Sequence, residues 1–357
     1  MLKGGHCMTG LFRIIDANVN RASEGLRVLE DNARFRYNDR VVSEKLKKLR
    51  HNIRKNMIDY LPQCLKERDS SKDVGLEVSK ELAIDGKASA KELVAANFRR
   101  VQEALRTVEE NLKVLGKYEL SKLYEDFRFI SYSLEKEYFR LDSVLEKARK
   151  LETDLYCLTA EQYSRGRDNI QVVKAMINAG IKIIQYREKE KKLLHKYNEC
   201  LKIRELTREA GVTFIVNDDV DIAMLVEADG VHIGQEDLPV EKVRELVGEE
   251  MIIGLSTHSP EQAQDAIRRG ADYIGVGPIY RTYTKKDVCD PVGLEYLDYA
   301  VKNVHIPFVA IGGIKEHNIH EVKARGAKCI AMVTEIVGAE DIEQKIANIR
   351  LKLKGEE

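Results

Sequence analysis

Eight short apolar segments, each followed by a stretch that suits an amphipathic helix, fill the second half of this chain. Parallel strands buried on both faces are short apolar runs, and helices make the crossover connections between them. The pattern predicts an α/β fold, a (βα)8 TIM barrel. A doubly wound open sheet is the alternative, although its usual glycine-rich turn does not follow the first segment. The segments, from Asp154 onward, are DLYCLT, IKIIQY, VTFIV, DGVHI, MIIGL, ADYIGV, PFVAI and KCIAMV.

Residues 1–150 have a different character, with a single proline and long helical periodicity. Two of their segments are copies of each other, and each is followed by another amphipathic stretch, near Val41–Tyr60 and Leu120–Phe139. We therefore predict an all-α four-helix bundle-like domain over 1–150, preceding a barrel domain over 151–357. The matching polar and apolar residues are Asn18, Arg21, Glu24, Leu26, Arg27, Glu30 and Asn32 in one copy, and Asn97, Arg100, Glu103, Leu105, Arg106, Glu109 and Asn111 in the other.

Four of the repeated polar residues, Glu24, Arg27, Glu103 and Arg106, are candidates for the interior or a groove of this bundle. A solvated helix surface does not require the same charges at the same offsets in both copies. Two interpretations remain open, a buried ion-pair network and an anion-binding site.

Composition excludes several classes of protein. The formal net charge is zero and no dense block of lysine and arginine occurs, which argues against a nucleic-acid partner. The six cysteines are scattered, with no spacing typical of zinc sites. No apolar run is long enough for a membrane span, and the first residues lack a signal core. We expect a cytoplasmic protein without membrane association, compatible with a homo-oligomer whose state the sequence does not define.

Carboxylates follow two neighbouring predicted strands within the segment Phe214–Leu238. In a barrel the carboxyl ends of the strands share one face, so Asp218 and Asp237 are expected to converge as oxygen ligands for Mg²⁺ and a polyphosphate. The alternative is that these acidic turns only cap helices. Asp219 and Glu236, beside them, are assigned surface or capping roles.

Cations and hydroxyls follow the other predicted strands. Arg187 and Lys189 alternate after the second strand, Ser256 follows the fifth, and the long loop after the sixth strand is rich in hydroxyls and lysines. Glycines after the seventh strand, facing Thr334 after the eighth, suit the usual phosphate site of such barrels. The predicted site thus contains cations and metal ligands but no evident general base. This combination favours electrostatic stabilisation of a leaving diphosphate over proton abstraction.

Six motifs in the barrel half, QYREK, VNDDVDIA, ADGVHIGQEDL, GLSTHS, YIGVGPIYRTYTKKD and AIGGI, resemble those of thiamine phosphate synthases. The resemblance covers about residues 153–350. It implies a transferase that joins 4-amino-2-methyl-5-(diphosphooxymethyl)pyrimidine to 4-methyl-5-(2-phosphooxyethyl)thiazole, with Mg²⁺ as cofactor. It further implies a dissociative mechanism, in which diphosphate leaves before the thiazole nitrogen attacks.

The same resemblance implies roles for individual residues. Asp218 and Asp237 would bind Mg²⁺, and Gln185 would lie against the pyrimidine. The catalytic residues would be Arg187, Lys189, Ser256 and Lys285, which together with Asn217 would contact the diphosphate. The thiazole phosphate would be bound by Thr282, Thr284, Gly313, Val333 and Thr334. Two departures are Thr334, where serine is usual, and Arg281, where proline is common.

The helical half resembles a domain fused to such synthases and linked to an alternative hydroxymethylpyrimidine phosphate kinase. That resemblance rests on NVNRASEGLRVLED and its repeat. Its alternative is a non-catalytic oligomerisation module. For the barrel, the alternative activity is thiazole tautomerisation, against which the joint presence of the cations and the two aspartates argues.

Overall fold

The computed structural model describes residues 10–68, 89–284 and 289–355 of the chain. The chain divides into two compact units, Met1–Asp142 and Ser143–Glu357, and the division falls within a long helix. No helix among these described ranges is both long and apolar enough to cross a membrane.

The first unit is helical, as its periodicity predicts. Its two long repeat helices, α1 and α4, bury the predicted apolar stripes against each other and against their neighbours. Gly25 permits a close approach between α1 and α4, because a Cβ atom there would lie only 2.9 Å from Val101 Cγ2. The helices are α1 (Leu11–Phe35), α2 (Arg40–Lys55), a 3-10 turn (Ile58–Tyr60), α3 (Leu61–Glu67), α4 (Ala90–Val114) and α5 (Tyr118–Lys150).

Two buried glutamates at equivalent positions of the repeat each bind an arginine from the following long helix. Arg50 donates to Glu30 through Nε at 3.0 Å and Nη2 at 2.9 Å. Arg128 donates to Glu109 through Nε at 3.2 Å and Nη2 at 3.1 Å. Burial by itself would raise the pKa of Glu109, but hydrogen bonds from Lys113 and Arg128 outweigh it, and the pKa is lowered. The duplicated charges therefore include a buried ion-pair network.

The residues predicted to line the interior are not the ones that do so. Glu24 and Glu103 are exposed, and so are Arg27 and Arg106, which reach the buried glutamates only from the rim. The reason is helical geometry, since Glu24 follows the buried Ala22 by two residues, or about 200° of rotation. Its side chain therefore leaves from the opposite face of α1.

The second unit is a closed barrel of eight parallel strands, which confirms the predicted fold. Closure is made by β8 pairing with β1, with Ile330 beside Leu155, and this pairing excludes the open sheet. Each predicted apolar segment overlaps one strand. The strands are β1 (Leu155–Leu158), β2 (Ile183–Tyr186), β3 (Thr213–Asn217), β4 (Gly230–Ile233), β5 (Ile252–Thr257), β6 (Tyr273–Val276), β7 (Phe308–Ala310) and β8 (Ile330–Met332).

Helices follow the strands and cover the outside of the barrel. Their apolar faces pack on the outward strand residues to form the larger core. They are α6 (Asn169–Asn178), α7 (Leu193–Ala210), α8 (Val220–Leu225), α9 (Val240–Val247), α10 (Pro260–Arg268), α11 (Gly293–Asn303), α12 (Ile319–Ala324), α13 (Thr334–Val337) and α14 (Ile342–Lys354), with a 3-10 turn at Glu161–Tyr163.

Alternate strand residues point into the barrel, where they form a separate core. Tyr156, Ile183, Ile215, Ile252 and Tyr273 belong to this inner cluster. Because side chains alternate with a period of two, the same inward series continues toward the carboxyl ends of the strands. The polar residues that continue it are Gln185, Asn217, His232 and Ser256.

Aspartates close the opposite, amino-terminal end of the barrel. Asp229, just before β4, accepts hydrogen bonds from the Phe214 amide at 3.0 Å, Arg204 at 2.7 Å and Lys150 at 2.7 Å. Asp272, just before β6, accepts from the Ile253 amide at 2.8 Å. Such contacts hold the amino-terminal ends of the strands against the surrounding helices. They affect the opposite end of the barrel only indirectly, because the strands between the two ends are rigid.

We predict that Glu109→Ala destabilises the helical unit by about 3 kcal/mol, because it leaves the Arg128 guanidinium buried without its carboxylate. Hydrogen exchange of peptides from α1 to α5 in the full chain measures the opening free energy of this unit alone. The matched control is Glu110→Ala, an exposed neighbour expected to change stability by less than about 0.5 kcal/mol. Equal effects of the two substitutions would contradict the assignment.

We also predict a pH-dependent contribution from Asp229. Burial alone would raise the pKa of Asp229, but the hydrogen bonds from Lys150 and the Phe214 amide and the charges of Lys150 and Arg204 outweigh burial. The net result is a lowered pKa. Its stabilising effect is therefore complete above the unfolded pKa, about 4, and is lost as pH falls through the folded pKa. The difference in unfolding free energy between wild type and Asp229→Asn should be largest near neutral pH and shrink in acid. The exposed Glu227→Gln serves as control, and a difference that grew in acid would refute the prediction.

Candidate active site

A cavity of about 400 Å³ lies at the carboxyl ends of the barrel strands, a size that suits small organic substrates. It is where the chemistry of such barrels is found. The structure brings together twelve of the thirteen predicted site residues around it; the remaining one, Lys285, lies outside the described residues. The twelve are Gln185, Arg187, Lys189, Asn217, Asp218, Asp237, Ser256, Thr282, Thr284, Gly313, Val333 and Thr334.

Asp218 and Asp237 approach each other from the ends of β3 and β4. Asp218 has a left-handed backbone with φ of 63°, and its amide donates to the His232 carbonyl at 2.9 Å. Asp237 accepts a hydrogen bond from the Gly234 amide at 2.6 Å. Burial raises the pKa of Asp218 and the Asp237 carboxylate raises it further, while Lys189 opposes both. Such a pair has unbalanced negative charge that a cation would relieve.

Two carboxylates alone would supply only part of a metal coordination sphere. Within the described ranges, no group of three or more histidine, cysteine or acidic side chains is placed to hold a metal ion. Mg²⁺ normally keeps several waters and binds through one or two carboxylates together with substrate phosphates. Asp218 and Asp237 fit that donor set.

Two cations stand beside the acidic pair, at the end of β2. Lys189 Nζ lies 3.3 Å from Asp218 Oδ2. The Arg187 amide donates to Thr159 Oγ1 at 2.9 Å, and burial of its side chain lowers the pKa of the guanidinium. Over the described part of the chain, no carboxylate comes within 4.0 Å of that guanidinium. A partly buried guanidinium of this kind is suited to bind an anionic ligand.

The acidic neighbours of the pair have other roles. Asp219 precedes α8 but makes no capping bond with its side chain. Instead its Oδ2 accepts from Lys196 Nζ at 2.7 Å, and both side chains are largely buried. The assignment of Asp219 to a surface or capping role is therefore wrong, because α7 carries a lysine over it. Glu236 is exposed, as expected for a surface residue.

Glycines form a second recess on the other side of the cavity. Gly312 and Gly313 have φ of 99° and 64°, a region that side chains disfavour. A Cβ atom on Gly313 would also lie 2.6 Å from the Arg281 carbonyl oxygen, so the loop after β6 passes directly over it. Thr282 and Thr284 from this loop lie with their hydroxyl oxygens 3.2 Å apart. Backbone amides and hydroxyls therefore surround a space suited to a phosphate.

The inward residues of the barrel add a hydrogen-bonded chain that the sequence reasoning missed. Gln185 Nε2 lies 3.0 Å from Tyr156 Oη, and Tyr156 Oη lies 2.8 Å from Tyr273 Oη. Tyr273 Oη lies 2.9 Å from His232 Nδ1, and His232 Nε2 lies 2.9 Å from Ser256 Oγ. The sequence signal that could have revealed it is that Tyr156, Tyr273 and His232 occupy inward-pointing positions of their strands and carry polar side-chain atoms.

Comparison with known proteins agrees with this geometry. The family model described as thiamine monophosphate synthase matches residues 155–336, which is the barrel. The chain belongs to the thiamine monophosphate synthase family. It is therefore an enzyme, a transferase of thiamine biosynthesis. A second family model, the ThiD2 family, matches residues 13–137 in the helical unit.

Similar proteins cover either the barrel or the whole chain. A thiamine-phosphate synthase of Pelotomaculum thermopropionicum is 72% identical over 200 residues, covering 56% of this chain and 92% of that protein. A thiamine-phosphate synthase of Synechocystis sp. is 39% identical over 348 residues, 97% of each chain. The solved thiamine phosphate pyrophosphorylase from Pyrococcus furiosus is 35% identical, with a TM-score of 0.53, covering 58% of this chain and 98% of that one. The match to the Synechocystis protein therefore extends over both units of this chain.

Proposed function

We propose that the barrel joins 4-amino-2-methyl-5-(diphosphooxymethyl)pyrimidine to 4-methyl-5-(2-phosphooxyethyl)thiazole, forming thiamine phosphate and diphosphate. The proposal is supported by a single cavity whose lining residues suit two different anion subsites. One subsite combines the acidic pair with Arg187 and Lys189, and the other is the glycine recess. A reaction between one diphosphate ester and one phosphate ester requires both.

The first subsite is assigned to the diphosphate of the pyrimidine. Arg187 and Lys189 would bind its oxygens, with Asn217, Ser256 and Lys285 completing the contacts. Asp218 and Asp237 would hold Mg²⁺, which when bound supplies charge neutralisation to the diphosphate. Gln185, at the base of the cavity and almost fully buried, would lie against the pyrimidine ring.

The second subsite is assigned to the phosphate of the thiazole. The contacts would come from the backbone at Gly313 and Val333 and from the hydroxyls of Thr282, Thr284 and Thr334. Because Gly312 and Gly313 lack side chains, the phosphate oxygens can approach the backbone N–H groups directly. Placing the two anions in separate subsites orients the thiazole nitrogen toward the pyrimidine methylene.

The mechanism proposed is dissociative. The bond between the methylene carbon and the diphosphate oxygen breaks first, and diphosphate keeps the electron pair. The ring amino group donates electrons to the resulting cation, and the neutral thiazole nitrogen then forms the new carbon–nitrogen bond. No proton has to be removed from the nitrogen, so the protein needs no base. Consistent with this, both ring nitrogens of His232 already lie within hydrogen-bonding distance of protein hydroxyls. The contribution of the protein is stabilisation of the leaving diphosphate.

We predict that Asp218→Asn lowers kcat/KM for thiamine phosphate formation at least about a hundredfold and raises the Mg²⁺ concentration needed for half-maximal rate. The matched control is Glu236→Gln, which removes an exposed carboxylate next to Asp237 and should leave the rate within about twofold. Turnover of Asp218→Asn near the wild-type rate would contradict the metal assignment. Mg²⁺-independent isomerisation of a thiazole carboxylate would instead favour the tautomerase alternative.

For the helical unit we infer phosphorylation of hydroxymethylpyrimidine phosphate, which would supply the diphosphate that the barrel consumes. The match to the ThiD2 family and the fusion to a synthase support this inference. The candidate residues are Arg21, Glu24, Arg100 and Glu103, which are identical between the two copies and exposed. In the described part of the chain none of them takes part in an ion pair, so packing does not explain why they match.

We predict that the full chain forms ADP from ATP, Mg²⁺ and hydroxymethylpyrimidine phosphate, and that Asp218→Asn leaves this rate unchanged. Replacing Arg21 and Arg100 together by alanine should lower ADP formation at least about tenfold, since each arginine can bind phosphate oxygens. Thiamine phosphate formation from supplied pyrimidine diphosphate is the internal control and should be unaffected. Absence of ADP formation by the unaltered chain would favour the oligomerisation module.

A further inference from the structure

The chain of hydrogen bonds from Gln185 to Ser256 has both of its ends on the cavity. Its middle members, Tyr156 and Tyr273, are buried, with exposed fractions of 2% and 1%. Space for the Tyr273 ring depends on Gly254, because a Cβ atom there would lie 2.2 Å from Tyr273 Cζ. The five side chains thus form a continuous polar path through the inner core of the barrel.

When the Gln185 amide has Nε2 toward Tyr156, the direction of the protons along this path follows from counting donors and acceptors. Gln185 Nε2 is a donor, so Tyr156 Oη accepts from it. Among the described residues, the acceptor left within reach of the Tyr156 proton is Tyr273 Oη, at 2.8 Å. Tyr273 then donates its own proton to His232 Nδ1. The histidine is neutral in this arrangement, with its proton on Nε2 and directed to Ser256 Oγ.

This direction determines what each end offers to a ligand. Because Nε2 of Gln185 is directed to Tyr156, the other amide atom, Oε1, is available to the cavity as a hydrogen-bond acceptor. Ser256 accepts from His232 and so keeps its own proton available for donation into the cavity. The path therefore matches a ligand with a hydrogen-bond donor at the Gln185 end and an anionic oxygen at the Ser256 end.

The opposite direction is equally complete but has the reverse consequences. If the Gln185 amide rotates to point Oε1 at Tyr156, each proton along the path moves to the other side of its hydrogen bond. Ser256 then donates to His232 Nε2, and its proton is no longer available to an anion. One amide rotation at one end thus changes the hydrogen-bonding character of a hydroxyl at the other end.

We propose that this path couples recognition of the pyrimidine amino group at Gln185 to hydrogen-bond donation by Ser256 to the diphosphate. The inference rests on the proposed function, which places an amino group at one end and a diphosphate at the other. Tyr156, Tyr273 and His232 are positioning residues, since they act through Gln185 and Ser256. The enzyme would thereby select the 4-amino ring through the strength of its diphosphate binding as well as by direct contact.

The test compares two ligands in four proteins by equilibrium titration with Mg²⁺ and without thiazole. The ligands are 4-amino-2-methyl-5-(diphosphooxymethyl)pyrimidine and its 4-oxo counterpart, which presents an acceptor in place of the amino donor. The proteins are wild type, Ser256→Ala, Tyr273→Phe and the double variant. In the wild-type background, Ser256→Ala should weaken binding of the amino ligand about tenfold to a hundredfold, the range for a hydrogen bond to a charged group. It should weaken binding of the oxo ligand less than about threefold.

Cutting the path should abolish this selectivity. In the Tyr273→Phe background, Ser256→Ala should change the affinity for both ligands by the same factor, which a purely structural role of Tyr273 would not produce. Tyr156→Phe cuts the path at a second place and should give the same result if Tyr273→Phe fails to fold. Equal effects of Ser256→Ala on both ligands in the wild-type background would overturn the coupling alone. Failure of the amino ligand to bind wild type would overturn the proposed function and the coupling with it.

Discussion

Closure of the parallel barrel is the constraint on which the chemistry of this protein depends. Once β8 pairs with β1, all eight strands present their carboxyl ends on one face, and alternate residues must point inward. Residues far apart in sequence, such as Arg187, Asp218 and Gly313, then line one cavity without any local interaction between them. The opposite end is fixed by aspartates that bind strand amides and helix cations, so stability and chemistry occupy different ends of the barrel.

The cavity concentrates charges that the protein does not neutralise by itself. Asp218 is partly buried and faces a second carboxylate, and both burial and the Asp237 carboxylate raise its pKa. Arg187 is in the converse situation, a partly buried guanidinium whose pKa is lowered by burial. Partly buried charge that is not fully compensated costs stability in a folded protein. Its presence within one cavity is understandable if the substrates and their metal complete the pairing.

The helical unit shows how duplication separates packing from chemistry. The match of Glu30 with Glu109 is explained by packing, because each glutamate binds an arginine from the following helix. Arg21 and Arg100 are equally well matched but exposed, so packing does not account for them. Within a repeat, the residues that match although nothing in the core requires them are the best guide to a ligand.

The sequence by itself determined the strands, the helices and twelve of the residues that line the cavity, because apolar periodicity and strand-end position are local properties. Gln185 and Asp237 were predicted to line the same cavity only because both follow the strand pattern toward the carboxyl ends of the barrel strands. Only the tertiary structure decided what Asp219 contacts, since its carboxylate is paired with Lys196 on a neighbouring helix. It also decided the path through Tyr273, because a hydrogen bond between side chains on different strands depends on barrel radius and register, which no local pattern encodes.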